Sequence, residues 1–190
     1  YAPLKHAEWN GLTPKDLVFP FFMFIMGVST YISLRKFQFA WSSELAKKVI
    51  KRTVLLFAIG LALNWIGQGM CSIQSIRIMG VLQRLAVCYF FAIVIGTSVS
   101  LKKLPIIIAT ILIGYFILLL VGNGFEYGTG NILSIVDRSI LGDAHIYRDN
   151  GIEPEGLLST LPAIAHTLIG YYIGNICLQK TDRNMKLQKL

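Results

Sequence analysis

Five long apolar runs decide what this chain can become. They cover residues 17–34, 53–67, 80–99, 104–122 and 157–178. A helix needs about 20 consecutive apolar residues to cross the hydrocarbon core of a bilayer, and only helices and closed barrels satisfy their own backbone there. The runs therefore predict an all-α, polytopic transmembrane bundle of about five spanning helices. The second run is the shortest and contains Asn64, while the fourth, PIIIATILIGYFILLLVG, is predicted to face lipid over much of its surface. Composition agrees with a membrane protein. Hydrophobic residues make up 54% of the 190 and charged residues 15%, against about 25% charged in an ordinary soluble domain. A disordered chain, a disulfide-rich secreted module and a soluble enzyme are excluded on these grounds. Cys71, Cys88 and Cys177 have neither metal nor disulfide spacing and read as small packing residues.

The formal net charge of +8 would suggest nucleic acid in a soluble chain. In a membrane protein it sorts by connection. Arg35, Lys36, Lys47, Lys48, Lys51 and Arg52 separate the first two runs, Lys102 and Lys103 separate the third and fourth, and Lys180, Arg183, Lys186 and Lys189 follow the fifth. Every second connection is basic, as five alternating crossings require. The positive-inside rule makes those connections cytoplasmic. The N-terminal segment is then outside and the C-terminal tail cytoplasmic, and no nucleic-acid partner is needed. The basic stretch 47–52 could also receive the phosphates of a cytosolic nucleotide cofactor.

The outer connections are poor in basic residues. Residues 68–79 hold only Arg77, and 123–156 holds Arg138 and Arg148 against six carboxylates. That last connection is too long for a simple link. Within it, NILSIVDRSILG sets Ile132, Ile135, Val136, Ser139 and Ile140 at helical spacing, predicting a short amphipathic helix at the interface. His145, Tyr147, Asp149, Glu153 and Glu155 follow as contact candidates, or as a solvated acidic face. The chain opens at Tyr1 with no initiator methionine, and its span number is odd. It is expected to be an internal part of a longer protein that has a further helix upstream.

Chemistry concentrates before the first span, in YAPLKHAEWNGLTPKD. His6 can serve as a general base or nucleophile near neutral pH. Asn10 can donate to a developing oxyanion, and Trp9 fits the interfacial aromatic belt. Thr13-Pro14-Lys15-Asp16 is a helix start, so Asp16 either caps the helix or orients a nearby histidine. Arg84 lies just inside the third span, where an ionisable side chain pairs in the bundle interior or snorkels. Gln83 and Asn64 are candidates for the same pocket. His166 falls near mid-membrane and can line a path or bond across helices.

Four stretches then resemble one family in order: KHAEWNGLTPKDLVFPFFMFIMGVS (5–29), GVLQRLAVCYF (80–90), VDRSILGDAHIY (136–147) and EPEGLLSTLPAI (153–164). They are similar to the heparan-α-glucosaminide N-acetyltransferase family of transmembrane acyltransferases, and the likeness is to a bacterial-type member. The resemblance implies a single acyltransferase-like domain over 1–190, lacking an N-terminal helix and C-terminal helices. It also implies transfer of acetyl from cytosolic acetyl-CoA to an amino or hydroxy sugar on the outer side. Its active-site histidine falls on His6, and the motif's other polar positions fall on Asn10 and Asp16. Arg84 and Glu155 are expected as auxiliary or acceptor-binding residues, either by an acetyl-histidine intermediate or, in the preferred route, by direct transfer. The expected partners are acetyl-CoA as co-substrate, a sugar or glycan acceptor, the lipid bilayer and, as a further candidate, a second copy of the chain. No metal is expected. The location implied is a bacterial inner membrane. The rival readings are a small-solute transporter or permease subunit with Arg84 and His166 in its path, and a purely structural subunit.

Overall fold

The computed structural model describes residues 11–70, 72–147 and 152–187, with 180–187 as backbone only. His6, Trp9, Asn10, Cys71, Arg148 and Asp149, and the side chains of the basic tail, lie outside the described residues. Six α-helices follow in order: α1 (Val18–Leu34), α2 (Ser43–Gly67), α3 (Val81–Ser98), α4 (Leu104–Val121), α5 (Ile132–Leu141) and α6 (Thr160–Leu187). Five of them, all but α5, are long and apolar enough to cross a membrane. The all-α bundle expected from hydropathy is what forms.

Two boundaries differ from the apolar runs. Helix α2 starts at Ser43, ten residues before its run, with the Ser42 hydroxyl accepting from the Leu45 amide at 3.1 Å. Its first turns carry the basic residues that an apolar-run reading takes for a loop. Their long stems lie along apolar surface: Lys48 sits over the Phe37 ring and Arg52 over that of Tyr89. Helix α6 continues past the fifth run to Leu187.

The bundle is organised around α6, which packs on α1, α3 and α4. Closest is α1 against α6. A Cβ on Gly27 would stand 2.0 Å from the Thr167 carbonyl oxygen, and one on Gly170 would stand 2.1 Å from that of Phe24. Gly170 and Gly174, four residues apart, present the small-residue stripe that lets membrane helices touch backbone to backbone. Tyr31 donates to Asn175 Oδ1 at 2.7 Å within this interface. Helices α1 and α2, although consecutive, barely touch, and neither do α3 and α4. Each of these pairs is held by a third helix, which leaves two clefts with α3 standing between them.

Cys88 is fully buried, as a packing residue should be, whereas Cys177 is exposed on α6. Short helix α5 forms where the spacing predicted, but with a different face inward. Ile135 and Ile140 are exposed, while Ser134 and Asp137 are buried. The apolar stripe of α5 turns away from the protein, as a helix lying on a bilayer requires.

Candidate active site

The starts of α1, α3 and α6 lie at one end of the bundle, brought together by contacts of Arg84 with elements far apart in sequence. Its guanidinium stands over the Phe19 ring of α1 at 5.6 Å. It donates to the Pro154 carbonyl at 2.8 Å and also to Ser159, at the entrance to α6. Arg84 is 8% exposed, and its Nε has no hydrogen-bond partner. The residue is therefore packed into the protein and does not snorkel. A buried cation without a carboxylate partner is costly, and the loop carbonyls only partly offset that cost.

Beside it, the acidic segment is folded around Arg77. The Arg77 guanidinium bridges Glu153 and Glu155 and stacks on the Tyr147 ring at 4.8 Å. Glu153 has a fully buried side chain. Its carboxylate accepts from Arg77 Nε at 3.0 Å, from the Tyr147 amide at 2.7 Å and from the Glu155 amide at 3.2 Å. Burial works against the charge on Arg77, but the hydrogen bonds and fields of Glu153 and Glu155 outweigh it and hold the guanidinium above its ordinary value. Glu155 is half-buried, with one face left open.

Asp137 joins α5 to this loop. Its Oδ1 accepts from the Leu157 amide at 2.8 Å, while Oδ2 is buried against Gly156 without a hydrogen-bond partner. A Cβ on Gly156 would stand 1.9 Å from that oxygen, so only glycine lets the carboxylate close in. Burial raises the Asp137 pKa above 3.8. The Leu157 amide and Arg84 pull it back, and Glu153 pushes it further up. His145 does structural work. Its Nδ1 lies 2.7 Å from the Ile76 carbonyl, which can only accept, so that nitrogen carries the proton. The His145 carbonyl in turn accepts from the Ile78 amide at 2.9 Å.

Of the residues singled out from sequence, the structure brings Arg84 and Glu155 into one cluster. Asp16 forms the cap, its carboxylate accepting from both the Thr13 amide at 2.9 Å and the Thr13 hydroxyl at 2.8 Å. It starts α1 at the same end of the bundle. Asn64 donates to the Arg77 and Met79 carbonyls, and Gln83 packs near it against Gly60 and Gly80. These two brace the turn before α3, while the Arg84 guanidinium reaches the other way. His166 stands apart, with its ring edge-on to Phe24 at 6.4 Å. Sequence reading missed Asp137, and missed the buried pairing of Glu153 with Arg77. The available signal was Arg77 itself, the lone basic residue of its connection facing an acid-rich one.

The cleft between α1 and α2 reaches toward this cluster from the opposite, basic end. It has a volume of about 360 Å³. Lys48 and Arg52 line it near Phe37, the α1 hydroxyls of Ser29, Thr30 and Ser33 line its middle, and Phe22 and Leu85 line its far part. From Phe37 to Phe22 is roughly 22 Å along the helix axis at 1.5 Å per residue. Such a narrow slot, cationic at one end and next to Arg84 at the other, suits a long thin molecule with an anionic head.

Comparison with known proteins bears on the same residues. The family model described as "Heparan-alpha-glucosaminide N-acetyltransferase, catalytic" matches residues 3–190. Heparan-alpha-glucosaminide N-acetyltransferase of Homo sapiens is 31% identical over a 232-residue alignment that covers 94% of this chain and 35% of that protein. The Mus musculus protein of the same name is 29% identical over 242 residues, covering 96% of this chain and 36% of its own length. The chain thus spans about a third of the length of these curated relatives.

Proposed function

Since the chain belongs to the heparan-α-glucosaminide N-acetyltransferase catalytic family, we propose that it is the donor- and acceptor-binding part of a larger membrane-embedded acetyltransferase. It moves acetyl from cytosolic acetyl-CoA to an amino sugar on the outer side. The observation that carries this reading is the arrangement of α3 between a cation-tipped slot and the Arg84 cluster. Leu85, Tyr89 and Ile93 of α3 line the slot, and Arg84, one residue before Leu85, belongs to the polar cluster. The slot accepts acetyl-CoA with its phosphates at Lys48 and Arg52 and its thioester toward the outer end. Charge sorting by the positive-inside rule supports the basic end as cytoplasmic.

His6 is the proposed catalytic residue. The motif that contains it runs into the Asp16 cap at the Arg84 end of the bundle, which supports the assignment. The acceptor amine attacks the acetyl carbonyl, a C–N bond forms and the C–S bond breaks. His6 takes the proton released by nitrogen and returns it to the departing thiolate. Asn10 stabilises the oxyanion, and Asp16 orients the imidazole. Arg84 and Glu155 position the acceptor, with Arg77 and Glu153 holding Glu155 in place.

Purified full-length protein given radiolabelled acetyl-CoA and glucosamine should form labelled N-acetylglucosamine, and His6→Ala should reduce it to background. Transfer by His6→Ala at the parental rate would remove the histidine from the mechanism. Solute uptake sensitive to His166→Ala, with no transfer to any amino sugar, would identify a transporter instead.

A further inference from the structure

The second cleft, on the other side of α3, is different in character. Val87, Phe91 and Ile95 of α3 face Ile111 of α4 across about 520 Å³, with Leu161 and Ile164 of α6 as the floor and a wholly apolar exposed lining. Helices joined by a connection as short as 99–103 are ordinarily packed neighbours, yet α3 and α4 splay and open the cleft sideways. A further helix is too large for it. At roughly 10 Å across, a helix fills about 420 Å³ per turn, so the cleft would hold little more than one. Its volume falls instead in the range of about 300–1,000 Å³ typical of small-molecule sites.

The cleft ends against a charge. Leu141 of α5 and Leu157 close it. Asp137 stands one turn before Leu141 and bonds the Leu157 amide, with Oδ2 buried and unpartnered. A carboxylate at the head of an apolar cleft repels the phosphate of an ordinary phospholipid and complements the ammonium of an amino sugar. We propose that the α3–α4 cleft binds the alkyl or isoprenoid tail of a lipid-linked amino sugar, so that the acceptor reaches the site within the membrane on its lipid. This rests on the acetyltransferase reading for its consequence, but not for its test. The bilayer is as apolar as the cleft, so selectivity must come from the headgroup.

Full-length protein in phosphatidylcholine nanodiscs would be photolabelled with an alkyl β-glucosaminide and an alkyl β-glucoside bearing the same diazirine chain. Peptide mapping should find Phe91 and Ile111 labelled at least tenfold more by the glucosaminide. Exposed Ile106 and Ile117 should be labelled alike by both, and Asp137→Asn should abolish the preference. Equal labelling of the cleft by both probes would mean ordinary bilayer lipid only, and absence of label would mean a protein segment covers it. Either result overturns the proposal. Acetylation is measured in the same samples. Selective labelling without acetyl transfer would leave the lipid site standing and refute the acetyltransferase reading. Acetylation of soluble glucosamine without selective labelling would do the reverse.

Discussion

Replacing Arg77 with alanine strands Glu153. The Glu153 side chain is fully buried and accepts four hydrogen bonds, two of them from Arg77 Nε at 3.0 and 3.2 Å and two from backbone amides. Without the guanidinium, a carboxylate shielded from water keeps only two neutral donors. Removing one partner of such a pair costs about 3–5 kcal/mol. At roughly 2–4 °C per kcal/mol for a chain of this size, melting should fall by about 6–20 °C. Replacing both partners with uncharged groups of similar shape, as in Arg77→Met with Glu153→Gln, avoids the stranded charge and should cost less than half as much. The four proteins of the cycle would be purified in one detergent and compared by tryptophan-fluorescence melting. A coupling energy of about 1–3 kcal/mol is expected. Additive losses, or an Arg77→Ala variant within about 0.5 kcal/mol of the parent, would refute the reasoning and demote the contact to an exposed pair of little worth.

Other consequences follow from the same structure. Gly170→Leu drives a side chain into the Phe24 carbonyl, already 2.1 Å from a bare Cβ. It should cost at least the 1–3 kcal/mol of ordinary overpacking, read as lost monodisperse protein, whereas Gly114→Ala on the open face of α4 should cost little. Asp137 has a raised pKa in the folded protein, so the stability it contributes is present in acid and is lost as pH rises from about 4 through the raised value. Asp137→Asn should flatten that decline, and a parent equally stable across the window would contradict it. Lys48→Ala and Arg52→Ala should each raise KM for acetyl-CoA roughly tenfold, as expected for losing a charge-assisted contact, with kcat changed far less. Unaltered KM in the double variant would place the phosphates elsewhere.

How much of this was legible in the sequence depends on the range of the interaction. The spans were legible because lipid imposes a local rule on every residue of a run. The start of α2 was not, because Lys47, Lys48, Lys51 and Arg52 look like a loop until their stems are seen packed on Phe37 and Tyr89. Helix α5 was readable from its spacing, but its orientation depended on where Asp137 finds a partner, twenty residues away at Leu157. Arg77 and Glu153 are 76 residues apart, and nothing local announces that one buries the other. The central position of α6, and the clefts left by consecutive helices that do not touch, are properties of packing alone. Arg84 was conspicuous because a cation inside an apolar run has no bland local explanation.

The central claim is that the transfer is vectorial, from a donor at the basic end to an acceptor at the end bearing Arg84. Full-length protein would be reconstituted in sealed vesicles, its orientation fixed by selecting molecules whose basic connections face the lumen. Acetyl-CoA would be enclosed inside and glucosamine supplied outside. The account predicts N-acetylglucosamine in the external medium from this arrangement, and none when both substrates are outside. Product formed only when donor and acceptor share one side would contradict it.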